Sequence, residues 1–159
     1  MMTYTEYPDM MQLALAQARK AGRAGEVPVG AVVLNENGEI LSAACNSVIM
    51  QKDPTAHAEI LALREACRII GNYRLVQTTL CVTIEPCLMC MGAIVHARVS
   101  LVIYGAKDPK WGGAGSLYDF SADTRLNHHP EIIGGVCEAE CRQLMQAFFR
   151  ERRMKNPLC

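Results

Sequence analysis

The chain has 159 residues, half of them hydrophobic and a fifth charged, and carries no net charge at neutral pH. That balance suits a single globular domain over residues 1–159 with a substantial core, and it excludes an intrinsically disordered chain. No apolar run reaches the length of a membrane span, and the polar start Met1–Glu6 lacks the basic-then-apolar order of a secretory signal, so a cytoplasmic protein without a membrane partner is expected.

Met10, Met11, Leu13, Leu15 and Ala18 recur at helical spacing and predict an amphipathic opening helix that runs to the Gly22–Gly25 region. Val27–Leu34 reads as a buried strand. Asn35-Glu36-Asn37-Gly38 is a hairpin turn, because Asn and Gly tolerate the positive φ of tight turns, and Glu39–Asn46 returns as a second strand. Asp53-Pro54-Thr55 is turn and cap chemistry ahead of a helix from about Ala56 to Ile70. Thr78–Ile84 is β-branched and alternating, hence a strand. Pro86 opens a helix over Cys87–Ala97, and Val99–Tyr104 is another buried strand. Gly105–Leu126 holds four glycines and no period, which predicts a long functional loop. Glu131–Gly135 suggests a short edge strand, and a basic helix over about 138–154 closes the chain. Strands alternating with helices predict a layered sheet with helices on its faces.

Eight cysteines without an export signal argue for reduced thiols; Cys45, Cys67 and Cys81 lie in apolar segments and read as core residues. Cys137 and Cys141 are four apart on a helical pattern, with no further ligand near them in sequence. Between Arg142 and Lys155 five basic residues face one acidic residue, Glu151, a local +4 that the rest of the chain offsets. Such a helix either meets phosphates or presents a solvated face with its cations well placed near a C-terminus.

His57-Ala58-Glu59 and Pro86-Cys87-Leu88-Met89-Cys90 together form the H-x-E…P-C-x-x-C signature of zinc nucleobase deaminases. His57, Cys87 and Cys90 are the candidate ligands of one zinc ion per subunit. Cys₂His is an open set that keeps a fourth position for water, which marks a catalytic site and not a structural one. Cys87 and Cys90, three apart, share a helix face, and both ligand groups fall in first helical turns, where partial positive charge favours thiolates. Glu59 sits about 200° around the axis from His57. That angle argues against a ligand; its place in the signature makes it the candidate proton shuttle, where without the motif it would read as an ion-paired surface residue. His96 reads as a surface or packing residue, and His128-His129 as an exposed pair or a substrate contact.

At these residues the chain resembles the cytidine-deaminase-like superfamily and, within it, the TadA-type tRNA adenosine deaminases. The likeness extends to Glu26–Val32, Asp53–Ile60, Asn72-Tyr73-Arg74-Leu75, Glu85–Cys90, Gly113-Ala114-Gly115-Ser116-Leu117 and Phe148–Arg153, nearly the whole chain. The resemblance implies an α/β fold, a three-layer α/β/α sandwich around a mixed, largely parallel five-stranded sheet. It implies hydrolytic deamination of adenosine to inosine at the wobble position of a tRNA anticodon, by zinc-bound hydroxide with Glu59 as the shuttle. Asn46 and the backbone N–H of Ala58 are implied to meet the purine, and Asp108, Asn127 and Phe149 the nucleotides around it. Lys107, Arg152 and Arg153 would meet phosphates of the anticodon stem-loop, and the enzyme would be a homodimer. The chain departs from the family at Trp111, where a small or polar residue is expected; the indole either stacks on a loop base or packs against a partner chain. A basic tail after Lys155 is also missing. A deaminase of free bases or nucleosides and a non-catalytic RNA-binding scaffold are the competing readings.

Overall fold

The structure, a computed structural model, describes residues 6–156; the start at Met1–Thr5 and the last three residues lie outside them. Its strands are β1 (Gly30–Leu34), β2 (Ile40–Cys45), β3 (Thr79–Ile84), β4 (Leu101–Ala106) and β5 (Glu131–Ile133). They form one sheet in the order β2-β1-β3-β4-β5. β1 pairs antiparallel with β2 and with β3, whereas β3, β4 and β5 run parallel, so the sheet is mixed and its C-terminal half is parallel. The helices are α1 (Tyr7–Arg23), α2 (Val48–Gln51), α3 (Ala58–Ile70), α4 (Leu88–Ala97) and α5 (Glu138–Lys155).

Side chains alternate across a strand, and that alternation sorts the core into two. Ala31, Val33, Leu80, Val82, Val102 and Tyr104 point to one face, where Ala62 and Leu63 of α3 and Met91 and Ile94 of α4 cover them. Val32, Leu34, Cys81 and Ile103 point to the other, beneath Met11 and Leu15 of α1 and Cys141 of α5. Both faces are covered, so β1 is buried at every residue and β3 at all but its last, as the inner strands of such a sheet require. This is the three-layer α/β/α arrangement. No described helix is long and apolar enough to cross a membrane.

The β1–β2 hairpin turns at the Asn-Gly segment. Asn35 Oδ1 accepts the N–H groups of Asn37 and Glu39, and Gly38 takes φ +81°, a conformation strained for any side chain. α2 has no counterpart in the pattern reading, since four residues carry no period. β5 stops at Ile133, two residues before the expected end, because Gly134-Gly135 leaves the strand path, Gly135 at φ +86°.

Candidate active site

β1 opposes both β2 and β3, so β2, β3 and β4 run in the same direction and end at the same sheet edge. Ligand sites of open α/β sheets lie outside the carboxyl ends of the strands. Here β2 is followed by Asn46, β3 by Glu85-Pro86-Cys87 and β4 by Lys107-Asp108.

His57 and Cys87 precede α3 and α4 as N-caps, one residue earlier than the first-turn placement the pattern suggests. Each has an extended backbone, φ −73° and ψ 151° for His57, φ −70° and ψ 171° for Cys87. Their carbonyls accept the first helical bonds, from Leu61 and Met91, at 3.0 and 2.8 Å. Neither side chain caps its own helix, which leaves both for a ligand. Cys90, one turn into α4, is fully buried beside them.

Nδ1 of His57 lies 3.7 Å from Sγ of Cys87 and 3.6 Å from Sγ of Cys90. Tetrahedral zinc bonds of about 2.3 Å to sulfur and about 2.0 Å to nitrogen separate such atoms by about 3.5 Å, so the donor set fits zinc in chemistry and spacing. The three ligand atoms all lie within 4.8 Å of one another, the only such cluster of His, Cys, Asp and Glu among the described residues. The other candidates are engaged elsewhere. His96 is exposed. His128 and His129 hydrogen-bond through Nε2 to the carbonyls of Val99 and Leu126, at 2.6 and 2.8 Å. Burial pushes the Cys141 thiol up to about 12 and that of Cys81 up as well, which makes both inert core sulfurs.

Within the triad, hydrogen bonds donated by Cys90 and by His57 hold the Cys87 thiol down at about 4, and the bond to Cys87 raises His57. Glu59, in the first turn of α3, is 3% exposed and within hydrogen-bond reach of Cys90. Burial lifts its carboxyl to about 7, far above the ordinary carboxylate range. A carboxyl poised there both accepts and returns protons near neutral pH.

A cavity of about 550 Å³ opens over the triad, walled by Glu26, Val29, Asn46, His57, Glu59, Cys87, Leu88, Asp108, Trp111 and Met145, among others. Of the residues singled out by sequence, Asn46, His57, Glu59, Cys87 and Asp108 thus meet on one surface. Ala58 is buried, and its N–H donates to Asn46 Oδ1 at 2.8 Å, so that donor is already engaged. The backbone N–H of Asn46 donates to the Val29 carbonyl at 3.0 Å, and its side-chain nitrogen Nδ2 has no protein partner among the described residues. Asp108 Oδ1 accepts the N–H groups of Lys110 and Trp111. Lys107 is exposed beside it. Asn127 is not part of the cavity wall; its carbonyl and Oδ1 accept Arg98 at 2.9 and 3.1 Å. Phe149, also off the wall, is 39% exposed on α5 and edge-on to Phe148, one turn beyond Met145. Arg152 and Arg153 are exposed on the last turns of α5, the Arg152 guanidinium 5.3 Å from the centre of the Phe148 ring.

Two buried acids escaped the sequence reading. Glu26 Oε1 accepts the N–H of Met50 at 2.8 Å and so holds α2 at the cavity wall. Glu85, 1% exposed, accepts from the N–H groups of Asp108, Ala114 and Ser116 and from the Ser116 hydroxyl. It pins the loop after β4 over the triad. Gly112 passes so close that a Cβ there would lie 2.5 Å from the Glu85 carboxyl carbon. Glu85→Ala leaves three backbone donors without an acceptor, which costs roughly 1–3 kcal/mol for each one that stays buried. The variant is expected to melt about 10 °C lower in calorimetry. A melting point within a degree or two of wild type would show that water replaces the carboxylate.

The family model described as the cytidine and deoxycytidylate deaminase zinc-binding region matches residues 5–106. A tRNA-specific adenosine deaminase of Haemophilus influenzae is 48% identical over 94% of this chain and 86% of its own length. One from Bacillus subtilis is 47% identical over 92% of this chain and 90% of its own. Among solved structures, one from a study of A-to-I editing by tRNA:A34 deaminases superposes with a TM-score of 0.83 at 40% identity, covering 86% of this chain and 98% of that one. With the ligand triad and the buried Glu59 in place, the chain belongs to the cytidine and deoxycytidylate deaminase zinc-binding family, in the branch of the tRNA-specific adenosine deaminases.

Proposed function

We propose that this protein, a single deaminase domain, hydrolyses adenosine to inosine at the wobble position of a tRNA anticodon, in the cytoplasm and as a homodimer. The observation that carries the reading is Glu59, buried beside a zinc-ligand triad in the wall of a cavity able to take one base. Relatives with that named activity over almost the whole chain support the substrate class.

In the overall reaction the C6–N6 bond of adenine breaks, a C6–O bond forms from water, and ammonia leaves. His57, Cys87 and Cys90 would hold a zinc ion, which would supply the Lewis acidity that makes water nucleophilic near neutral pH. Glu59 takes one proton from the attacking water and passes it to the ring nitrogen N1, then takes the second from the new C6 hydroxyl and delivers it to the departing amine. Asn46 offers its free amide N–H groups to the purine while its oxygen holds Ala58. Asp108, Asn127 and Phe149 meet the neighbouring nucleotides. A base in a single-stranded loop costs least to extrude, which favours an anticodon loop over a duplex.

Lys107, Arg152 and Arg153 contact phosphates in this reading. Replacing Arg152 and Arg153 by Ala is expected to raise KM for an anticodon stem-loop and to reduce the slope of log affinity against log salt by about 0.7–1 for each arginine. An unchanged slope would return the basic end of α5 to the role of a solvated helix face. The positional claim is tested on a stem-loop carrying adenosines at the wobble position and elsewhere in the loop, with inosine mapped by sequencing. Inosine at the wobble position alone is expected; conversion at every loop adenosine would contradict wobble specificity.

A further inference from the structure

Trp111 is the large residue the reaction leaves without a role. Its side chain is 61% exposed, yet it forms part of the same cavity wall as His57 and Glu59. Among the described residues no other ring packs against the indole and no acceptor meets its N–H. A single exposed apolar side chain needs no explanation by itself. This one is held in a fixed place.

The backbone N–H of Trp111 donates to Asp108 Oδ1 at 3.2 Å, and the next N–H, of Gly112, to the Asp108 carbonyl at 2.8 Å. Gly112 pairs with the metal ligand Cys87 in an isolated antiparallel bridge, and Gly113 donates to the Pro86 carbonyl at 2.8 Å. Glu85 then fastens the loop on both sides, through Asp108 before the tryptophan and Ala114 and Ser116 after it. The Cα of Trp111 is thereby registered to the metal triad. The ordering cost of a binding loop is already met, so a flat ligand reaching the indole gains contact area with little loss of freedom.

We propose that Trp111 is a stacking platform for the nucleobase next to the one drawn into the cavity. The inference rests on the RNA reading above and adds a strand-positioning contact to it. A base extruded towards the triad leaves an unstacked neighbour in the strand at the cavity mouth, and an aromatic face compensates that neighbour whatever its identity. A partner protein surface laid flat on the indole would compete with the substrate strand for that mouth, which favours the base as occupant.

The test measures kcat and KM for wild type, Trp111→Ala and Trp111→Phe on a wobble-adenosine stem-loop, and on two stem-loops abasic at one or the other neighbour of that adenosine. Trp111→Ala is expected to raise KM roughly tenfold or more, with kcat within about twofold of wild type, and Trp111→Phe to recover most of the loss. One abasic stem-loop should cost wild type the same factor and cost Trp111→Ala nothing further, the sign of a shared contact. An unchanged KM for Trp111→Ala, or abasic losses that add fully at both neighbours, would overturn the platform. So would a change of oligomeric state in sedimentation velocity, which would make the indole a partner contact. A wild-type protein that makes no inosine from the intact stem-loop contradicts the RNA reading itself, and the platform falls with it.

Discussion

Glu59→Ala is expected to purify folded, with zinc retained at the wild-type stoichiometry, and to lose turnover by about 10³-fold or more. A positioned acid–base group of this kind contributes on the order of 4 kcal/mol to the barrier. Glu59 lies two residues after one ligand and touches another, but its carboxyl does not belong to the His57–Cys87–Cys90 cluster. Removing it therefore leaves all three metal donors in place. Burial has lifted the carboxyl to about 7, so it passes a proton in either direction at little cost. Zinc content by atomic absorption and turnover on the stem-loop, measured on one preparation, check both halves of the expectation. Turnover within tenfold of wild type would remove the assigned role and leave Glu59 a buried structural acid.

The complementary expectation concerns the ligands. Cys90→Ala should lose most of its zinc and all measurable turnover, and its melting point should fall as well. Cys90 is fully buried in α4 next to the core residues Met91 and Ile94, so the substitution removes both a metal bond and packed sulfur. Metal binding at such a site is also folding free energy, because the unfolded chain does not bring His57 to Cys87 and Cys90. The two variants together separate the roles. Glu59→Ala keeps metal and loses chemistry, whereas Cys90→Ala loses the metal and part of the stability. Cys90→Ala with full zinc content and activity would mean that the metal is held elsewhere. The metal and stability half of the contrast needs no assumption about the RNA, since metal content and melting are read on the protein alone.

Much of this site is legible in the residues themselves, because ligand chemistry is local. His57, Cys87 and Cys90 announce a metal by type and spacing, and Glu59 is singled out by its place in the H-x-E signature. The strands show in their β-branched alternation and the first hairpin in Asn37-Gly38. What pattern does not carry is contact across the fold. The bond from Ala58 to Asn46 joins the start of α3 to the end of β2, and a sequence offers no sign that one predicted purine contact holds the other. Periodicity cannot separate an N-cap from the first helical residue either, so His57 and Cys87 each fall one position before their helices. Glu26 and Glu85 did leave a trace, as acids standing alone beside Val27-Pro28-Val29 and between Ile84 and Pro86. Their partners are loop and helix N–H groups, which no side-chain pattern reveals. Asn127 and Phe149 lie off the cavity wall, and only a bound nucleotide chain would join them to it.

The most direct measurement incubates the zinc-loaded protein with a wobble-adenosine anticodon stem-loop in parallel with free adenosine, guanine and cytidine, and follows inosine by mass spectrometry and ammonia release. The account predicts inosine from the stem-loop and no ammonia from the free compounds. Ammonia from a free base or nucleoside, with no inosine in the RNA, would contradict it and make the protein a small-molecule deaminase on the same fold.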